Sequence, residues 1–374
     1  MVYEISEENK LILTQMEEFA KKKIDPMAKT IDIEDHIPNE FYKEMQEYGL
    51  LTLTIPESYG GLGLDMFTYS KILEIVGRYS GGLALSLEAH NSLGLNHVYL
   101  FASEEIKKMV IEYTIKHARP VAWALTEPSS GTDAKNMSTT YKKEDKHYNI
   151  NGSKIFITHG VSSKYIVLMA KGDQGINAFL IDGDSPGVER NKIKDKLGVR
   201  GSDTAELIFN NFLVPEEHLI GNPGEGFKQA MKILEGGRIA IAGIALGLAE
   251  ASLNSSIEYA KERKAFGTTI SQFEGIQFYL ADMATNIQAA RLLIEHAAEL
   301  YDKGIPARKE ISMAKYFASQ VAMDAARTAI QIHGGYGYFR DFGIERYLRD
   351  SKLMEIGEGT NEVQKMIIAK ELLK

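Results

Sequence analysis

The stretch WALTEPSSGTD, Trp123–Asp133, joins an extended apolar run to a proline turn and then to a cluster of small hydroxyl and glycine residues. Pro128 pushes Glu127 out of the right-handed helical region, so Trp123–Thr126 reads as the end of a strand. Ser129, Ser130, Gly131 and Thr132 then offer hydroxyls and unobstructed backbone N–H groups, which suit a phosphate or the polar edge of a ring. An ordinary Ser/Gly turn uses the same residues. The segments on either side decide between the two.

Outward from this loop the chain changes texture twice. Before it, apolar residues recur at helical spacing through Leu11, Leu13, Met16 and Phe19, and again through Phe67, Ile72, Ile75 and Val76. Ser103 followed by Glu104 and Glu105 reads as an N-cap with acids at the positive end, opening a helix to about His117. Five of the nine prolines fall between Pro120 and Pro223 among short alternating runs, so this third is expected to be β. In HYNINGSKIFIT, His147–Thr158, the pair Asn151-Gly152 predicts a two-residue hairpin turn. Further strands are expected at Tyr165–Met169, Ala178–Ile181 and Ala205–Phe209. After Gly226 only Pro306 remains, and the helical period returns over Phe227–Tyr259 and Phe273–Tyr301, long enough for antiparallel bundle helices. Gly236-Gly237 marks a kink in the first of these or a close approach to a ligand. The expected domains are 1–119 (helical), 120–226 (β) and 227–374 (helical). Helices, then strands, then helices give an α+β class and argue against a doubly wound sheet.

A chain of 374 residues exceeds what one core usually supports, and 44% apolar with 25% charged residues is an ordinary globular balance. No run approaches the roughly 20 apolar residues of a membrane span, so a membrane is not an expected partner. The opening MVYEISEENKLIL has no basic segment followed by an apolar one, which makes a cytoplasmic location the default expectation. Without cysteine there are no disulfides, thiolate nucleophiles or cysteine-rich metal sites. A net charge of -8 with no long basic block speaks against nucleic acid, and Lys21-Lys22-Lys23 reads as a solvated helix face. No strict GxGxxG, P-loop, HExxH or GxSxG pattern occurs, which removes the main supports for nicotinamide, nucleoside triphosphate, zinc and serine-hydrolase chemistry. No metal is expected.

WALTEPSSGTD resembles the first signature of the acyl-CoA dehydrogenases, a family of FAD flavoproteins, and other segments of this chain follow that family in order. They are IPESYGGLGLD (Ile55–Asp65), SLEAHNSLG (Ser86–Gly94), KLGVRGSDTAELIFNNFLVP (Lys196–Pro215), ERKAFG (Glu262–Gly267), ISQFEGIQF (Ile270–Phe278), QIHGGYGY (Gln331–Tyr338) and the late EIGEGTNEVQ. The resemblance covers nearly the whole chain. It implies a helical N-terminal domain, a middle antiparallel β-sandwich or barrel-like domain, and a C-terminal four-helix bundle.

The activity implied is removal of two hydrogens from the α and β carbons of an acyl-CoA thioester, giving a trans-2-enoyl-CoA. Such a reaction needs a base for the α proton and an acceptor for the β hydride. Glu358 matches the family's base. Gly357 and Gly359 beside it allow close backbone approach, and Thr360 opens a terminal helix whose N–H groups face the site. An ordinary carboxylate is a weak base, so water must be expelled around it. In the family the base's own N–H and a flavin hydroxyl polarise the thioester carbonyl. An exposed Glu before a terminal helix is the commoner meaning of such a residue, and the surrounding match overrides it.

By the same resemblance Trp123, Leu125, Thr126, Gly131, Thr132, Phe156 and Thr158 meet the flavin ring and pyrophosphate. Arg263, Gln331, Gly334 and Gly335 reach the FAD of a neighbouring subunit, Thr360 and Glu362 reach the chain's own, and Phe266, Phe273 and Glu274 are further cofactor contacts. Thr132, Arg238 and Gly359 are the implied substrate contacts. Asn136, Phe156 (often Trp in the family), Glu274 (usually Gln) and Gly357 (often Tyr) are departures. Gly357 leaves space for a branched or cyclic acyl group unless a neighbouring side chain fills it. The expected partners are a short or branched acyl-CoA, an electron-transferring flavoprotein and further copies of the chain in a homotetramer, a dimer of dimers. The alternatives are an acyl-CoA oxidase, a glutaryl-CoA-type decarboxylating dehydrogenase, and a flavin-free helical scaffold.

Overall fold

The computed structural model describes residues 5–374. Helices α1 (Glu7–Phe19), α2 (Asp25–Glu34), α3 (Asn39–Glu47), α4 (Met66–Tyr79), α5 (Gly81–Glu88), α6 (Asn96–Phe101) and α7 (Glu104–His117) come first. Strands β1 (Ala122–Ala124), β2 (Thr140–Glu144), β3 (His147–Thr158), β4 (Tyr165–Gly172), β5 (Gly175–Asp182), β6 (Val188–Lys192), β7 (Thr204–Pro215) and β8 (Leu219–Ile220) follow. The chain closes with α8 (Gly226–Glu262), α9 (Glu274–Asp302), α10 (Arg308–His333), α11 (Gly335–Tyr338), α12 (Ile344–Ile356) and α13 (Asn361–Leu372). The helix expected from Ser103 is α7, and the Ser103 hydroxyl accepts from the Ile106 N–H at 3.4 Å.

The strands form one sheet in the order β6-β7-β3-β2-β4-β5-β8, with β1 added parallel beside β4. Its central strands alternate between two cores, as the period of two requires. Ile166, Leu168 and Ala170 of β4 join Tyr148, Phe179 and Phe209 on one face, while Val167 and Met169 meet Ile106 and Val110 of α7 and Ala230 of α8 on the other. The helices therefore dock onto the sheet through β4 and β5.

One expectation is corrected here. Asn151-Gly152 is not a turn: β3 runs straight through it, with a register shift against β7 between Ile150 and Gly152. The hairpin turns at Asp145 and Lys146, Asp145 standing at φ 52°. Gly152 answers a different need, since a β carbon there would come within 2.6 Å of the Thr139 α carbon.

A third core joins the N-terminal helices to the C-terminal bundle. Helix α8 runs unbroken through Gly236-Gly237. Its contact with α4 is close because glycine leaves room: β carbons at Gly243 and Gly247 would come within 2.6 Å of the Ser70 carbonyl oxygen and 2.2 Å of that of Glu74. Among the described residues α8 is the one helix long and apolar enough to cross a membrane, and 78% of its apolar window is buried inside the molecule. Its apolarity is that of a core helix.

Candidate active site

The loop after β1 is held by a buried ion pair. The Lys154 ammonium, wholly buried on β3, donates to Glu127 Oε1 at 2.8 Å and to the Leu125 carbonyl at 3.0 Å. Glu127 also accepts from the Ser138 and Thr139 N–H groups, at 2.5 and 2.9 Å, so both ends of the loop converge on one carboxylate. Burial works against that charge, but the Lys154 ammonium overrides it and draws the carboxyl down to about 2. Leu125 is buried, Thr126 is half-buried with its carbonyl taken by the Ile155 N–H, and Gly131 and Thr132 stand exposed. Asn136 turns back onto Asp133 at 2.5 Å.

Trp123 is half-buried, and its indole N–H donates to His97 Nδ1 at 3.0 Å. His97 is backed by Gln229 Oε1 at 3.0 Å, and burial holds its pKa down at about 4. The imidazole is thus neutral with its proton on Nε2. Phe156 is 65% exposed at φ 60°, a conformation unusual for an aromatic residue. A displayed ring at Phe156 and the open backbone at Gly131, where an added β carbon meets nothing within 4 Å, suit a planar ring and its phosphates.

Thr158 is followed by buried His159, whose Nε2 lies 2.8 Å from the Ser86 carbonyl of α5. Two residues on, Glu88 of the same helix faces Glu358. One turn of α5 therefore ties the end of β3 to the turn carrying the expected base. The helix then runs on through π-wound Ala89–Leu95 into α6, a local widening often found at functional sites.

Glu358 sits between α12 and α13 at φ 53°. Both its carboxyl oxygens are shut away from solvent, and no N–H or hydroxyl group among the described residues donates to them or to Oε1 of Glu88. Two carboxylates can only accept, so the pair is satisfied when one of them holds a proton. Burial raises both acids; Arg238 and Lys315 pull Glu358 back, whereas Glu88 is held well above the ordinary carboxylate range. The pair thus favours a neutral Glu88 beside an ionised Glu358. The carboxyl lies against α8 at Gly237, where a β carbon would come within 2.1 Å of Oε2. That glycine marks a close approach, and Glu235 nearby is engaged by Lys232 and Arg308.

Arg238 is buried and donates from Nε to the Glu358 carbonyl at 3.2 Å, beside Gly359. Thr360 caps α13, its hydroxyl accepting from the Val363 N–H, and Glu362 stands exposed in the first turn. Beside Gly357, Ile241 Cδ1 lies 3.1 Å from where a β carbon would stand.

The remaining predicted residues gather elsewhere. Arg263 ends α8, with its guanidinium 5.6 Å from the Tyr336 ring, and Phe266, 98% exposed, meets Phe273 edge-on. Glu274, Gln331, Gly334 and Gly335 are exposed at the same end of the bundle. From Arg238 to Arg263 is 25 residues of helix, roughly 37 Å. Within one chain these residues do not share a site with Glu358.

Sequence reasoning missed Glu88, Lys154 and Lys315. The available signal was a lone charge inside an apolar helical or strand run, as in LALSLEAH and ISMAKYFAS.

Three models, the acyl-CoA dehydrogenase N-terminal, middle and C-terminal domains, match residues 6–117, 122–212 and 224–373. The chain is 44% identical to an acyl-CoA dehydrogenase of Bacillus subtilis (strain 168), covering 99% of both. It superposes with a TM-score of 0.96 on butyryl-CoA dehydrogenase from Megasphaera elsdenii, at 37% identity over the whole of both chains. A TM-score of 0.97 at 41% identity, again over both whole chains, relates it to a solved structure described as electron transferring flavoprotein of Acidaminococcus fermentans. Matched in all three domains and along its whole length, the chain belongs to the acyl-CoA dehydrogenase family.

Proposed function

We propose that this protein oxidises a short-chain acyl-CoA thioester to the trans-2-enoyl-CoA, with Glu358 as the base that removes the α proton. The observation that carries this reading is a buried carboxyl group that no N–H or hydroxyl group of the described residues reaches, pressed on Gly237 and paired with an acid that keeps its proton. A desolvated carboxylate has its proton affinity raised toward what the reaction needs. Arg238 and the start of α13 direct positive charge and N–H groups at the region where the thioester carbonyl would lie.

FAD, when bound, accepts the hydride from the β carbon. Trp123, Leu125, Thr126, Gly131, Thr132, Phe156 and Thr158 would hold it, with Thr360 and Glu362 from the base side. The distant group of Arg263, Phe266, Phe273, Glu274, Gln331, Gly334 and Gly335 serves the cofactor of a second copy. That division of labour calls for at least two copies, and the assembly proposed is a homotetramer, a dimer of dimers. Ile241 beside Gly357 argues for a short straight acyl group over a branched one. Electrons pass to an electron-transferring flavoprotein, and a cytoplasmic place in fatty acid β-oxidation completes the reading.

The test is anaerobic mixing of the yellow holoenzyme with butyryl-, isovaleryl-, octanoyl- and palmitoyl-CoA while flavin absorbance is followed. Butyryl-CoA is expected to bleach it fastest. A colourless protein, or no bleaching by any thioester, removes the proposal.

A further inference from the structure

Lys315 lies about two turns into α10, wholly buried, and no carboxylate forms an ion pair with it among the described residues. Its ammonium donates to the Gly359 carbonyl at 2.9 Å and to Asn361 Oδ1 at 3.2 Å, and Asn361 is held in turn by the Ser319 hydroxyl at 3.0 Å. A buried cation whose hydrogen bonds go only to neutral acceptors is expensive to desolvate. An apolar side chain at this position would serve packing at least as well, so the charge needs a reason.

The reason lies one residue before Gly359. A non-glycine residue held in the left-handed region costs about 1–3 kcal/mol and persists only where its surroundings fix it. Glu358 is such a residue, and the two carbonyls after its side chain are both gripped. Arg238 holds the first, and Lys315 with Gln364 Nε2, also at 2.9 Å, holds the second. We propose that Lys315 is a positioning residue for the base, fixing the Glu358–Asn361 turn so that the Glu358 carboxyl stays against Gly237, and lending that carboxyl a positive charge. The inference rests on the reading of Glu358 as the base.

The charges facing this turn are Glu88 from α5, Arg238 from α8, Lys315 from α10, Glu355 from α12 and Glu362 from α13, with the phenol of Tyr69 from α4. Burial lowers Lys315 to about 8, against the pull of Glu358, so it remains mainly charged at pH 7. Its cation favours the ionised base. Removing it therefore raises the proton affinity of Glu358, and the limb where activity falls with falling pH moves upward.

The experiment uses FAD-loaded Lys315→Met, Lys315→Gln and Asn361→Asp enzymes with butyryl-CoA as probe. Glutamine keeps one donor for Gly359 without the charge, and Asn361→Asp neutralises the ammonium without altering it. Flavin reduction is expected to fall at least about ten-fold in Lys315→Met and less in Lys315→Gln. In all three the acid limb rises by roughly half a unit or more. Infrared titration of the buried carboxylic acid band, read without turnover, moves the same way. Rates within two-fold of wild type with an unmoved limb overturn the proposal, as does lost activity with an unmoved limb and band, which marks mere structural support. If Lys315→Met does not retain flavin, an unmoved limb in Asn361→Asp is sufficient to overturn it. A wild-type flavin that butyryl-CoA does not bleach, or Glu358→Gln with full turnover, counts against the proposed function instead.

Discussion

The carboxyl of Glu358 rests on the backbone of Gly237, two residues that lie 121 positions apart in the chain and meet where α8 passes the turn before α13. A methyl group at 237 would occupy the space of Oε2, and the end of a glutamate side chain can swing aside at little cost to the fold. Gly237→Ala is therefore expected to keep FAD and to melt no lower than wild type, since alanine favours a helix interior by about 1 kcal/mol over glycine. Flavin reduction should fall about 100-fold, the usual loss when a reacting group is misplaced by an ångström. Stopped-flow absorbance beside a thermal melt checks both halves; an unaffected rate would show that the base lies elsewhere.

Glu88 is expected to set the pH range of the reaction. In Glu88→Ala the proton donor beside Glu358 is gone while the burial remains, so the acid limb of kcat should rise by about one unit. In Glu88→Gln the amide still donates, and the limb should stay near that of wild type. An alkaline change due to the second proton of the pair should vanish in both. A kcat profile from pH 5 to 10 separates the variants, and identical limbs in Glu88→Ala and wild type would exclude the coupling.

The Glu127–Lys154 pair is expected to connect stability with cofactor retention. Removing one member of a buried pair leaves the other charged and unsolvated, at a cost of about 3–5 kcal/mol. Lys154→Met should therefore melt well below wild type and, because Glu127 gathers both ends of the loop, release flavin more readily on dilution. Flavin fluorescence during the melt reads both effects. A variant that loses stability but holds FAD as tightly as wild type would confine the pair to a packing role.

Much of this was legible in the chain because it is local. Ser103 and Thr360 cap helices through their own next turn, and Glu358 is flagged by the two glycines around it and the helix after it. What stayed hidden depends on meetings between distant elements. Glu88 gains a role only where α5 reaches the turn before α13, and Lys315 only because Gly359 comes to it. Asn151-Gly152 misled for the converse reason: the pair carries a strong local turn signal, while the crowding at Thr139 that requires the glycine is tertiary. Arg263 and its companions form no site with Glu358 in one chain, so their reading came from resemblance and not from spacing.

Asp350 offers a last test, on stability alone. It is buried on α12, accepts from the Val199 N–H at 2.6 Å, and burial lifts its pKa to about 6 despite Arg346 and Arg349. A group with a raised folded value binds its proton more tightly in the native state, so its contribution to stability is present at low pH and lost as pH rises from the ordinary aspartate range to about 6. Asparagine keeps an acceptor for Val199 and never takes the charge. Asp350→Asn should consequently match or fall slightly below wild type at pH 4 and exceed it by on the order of 2 kcal/mol above pH 6. Melting curves across that range measure the difference. A gap that is flat with pH would mean that Asp350 carries its charge at no cost, paired through Arg346 and Arg349 more strongly than its burial opposes.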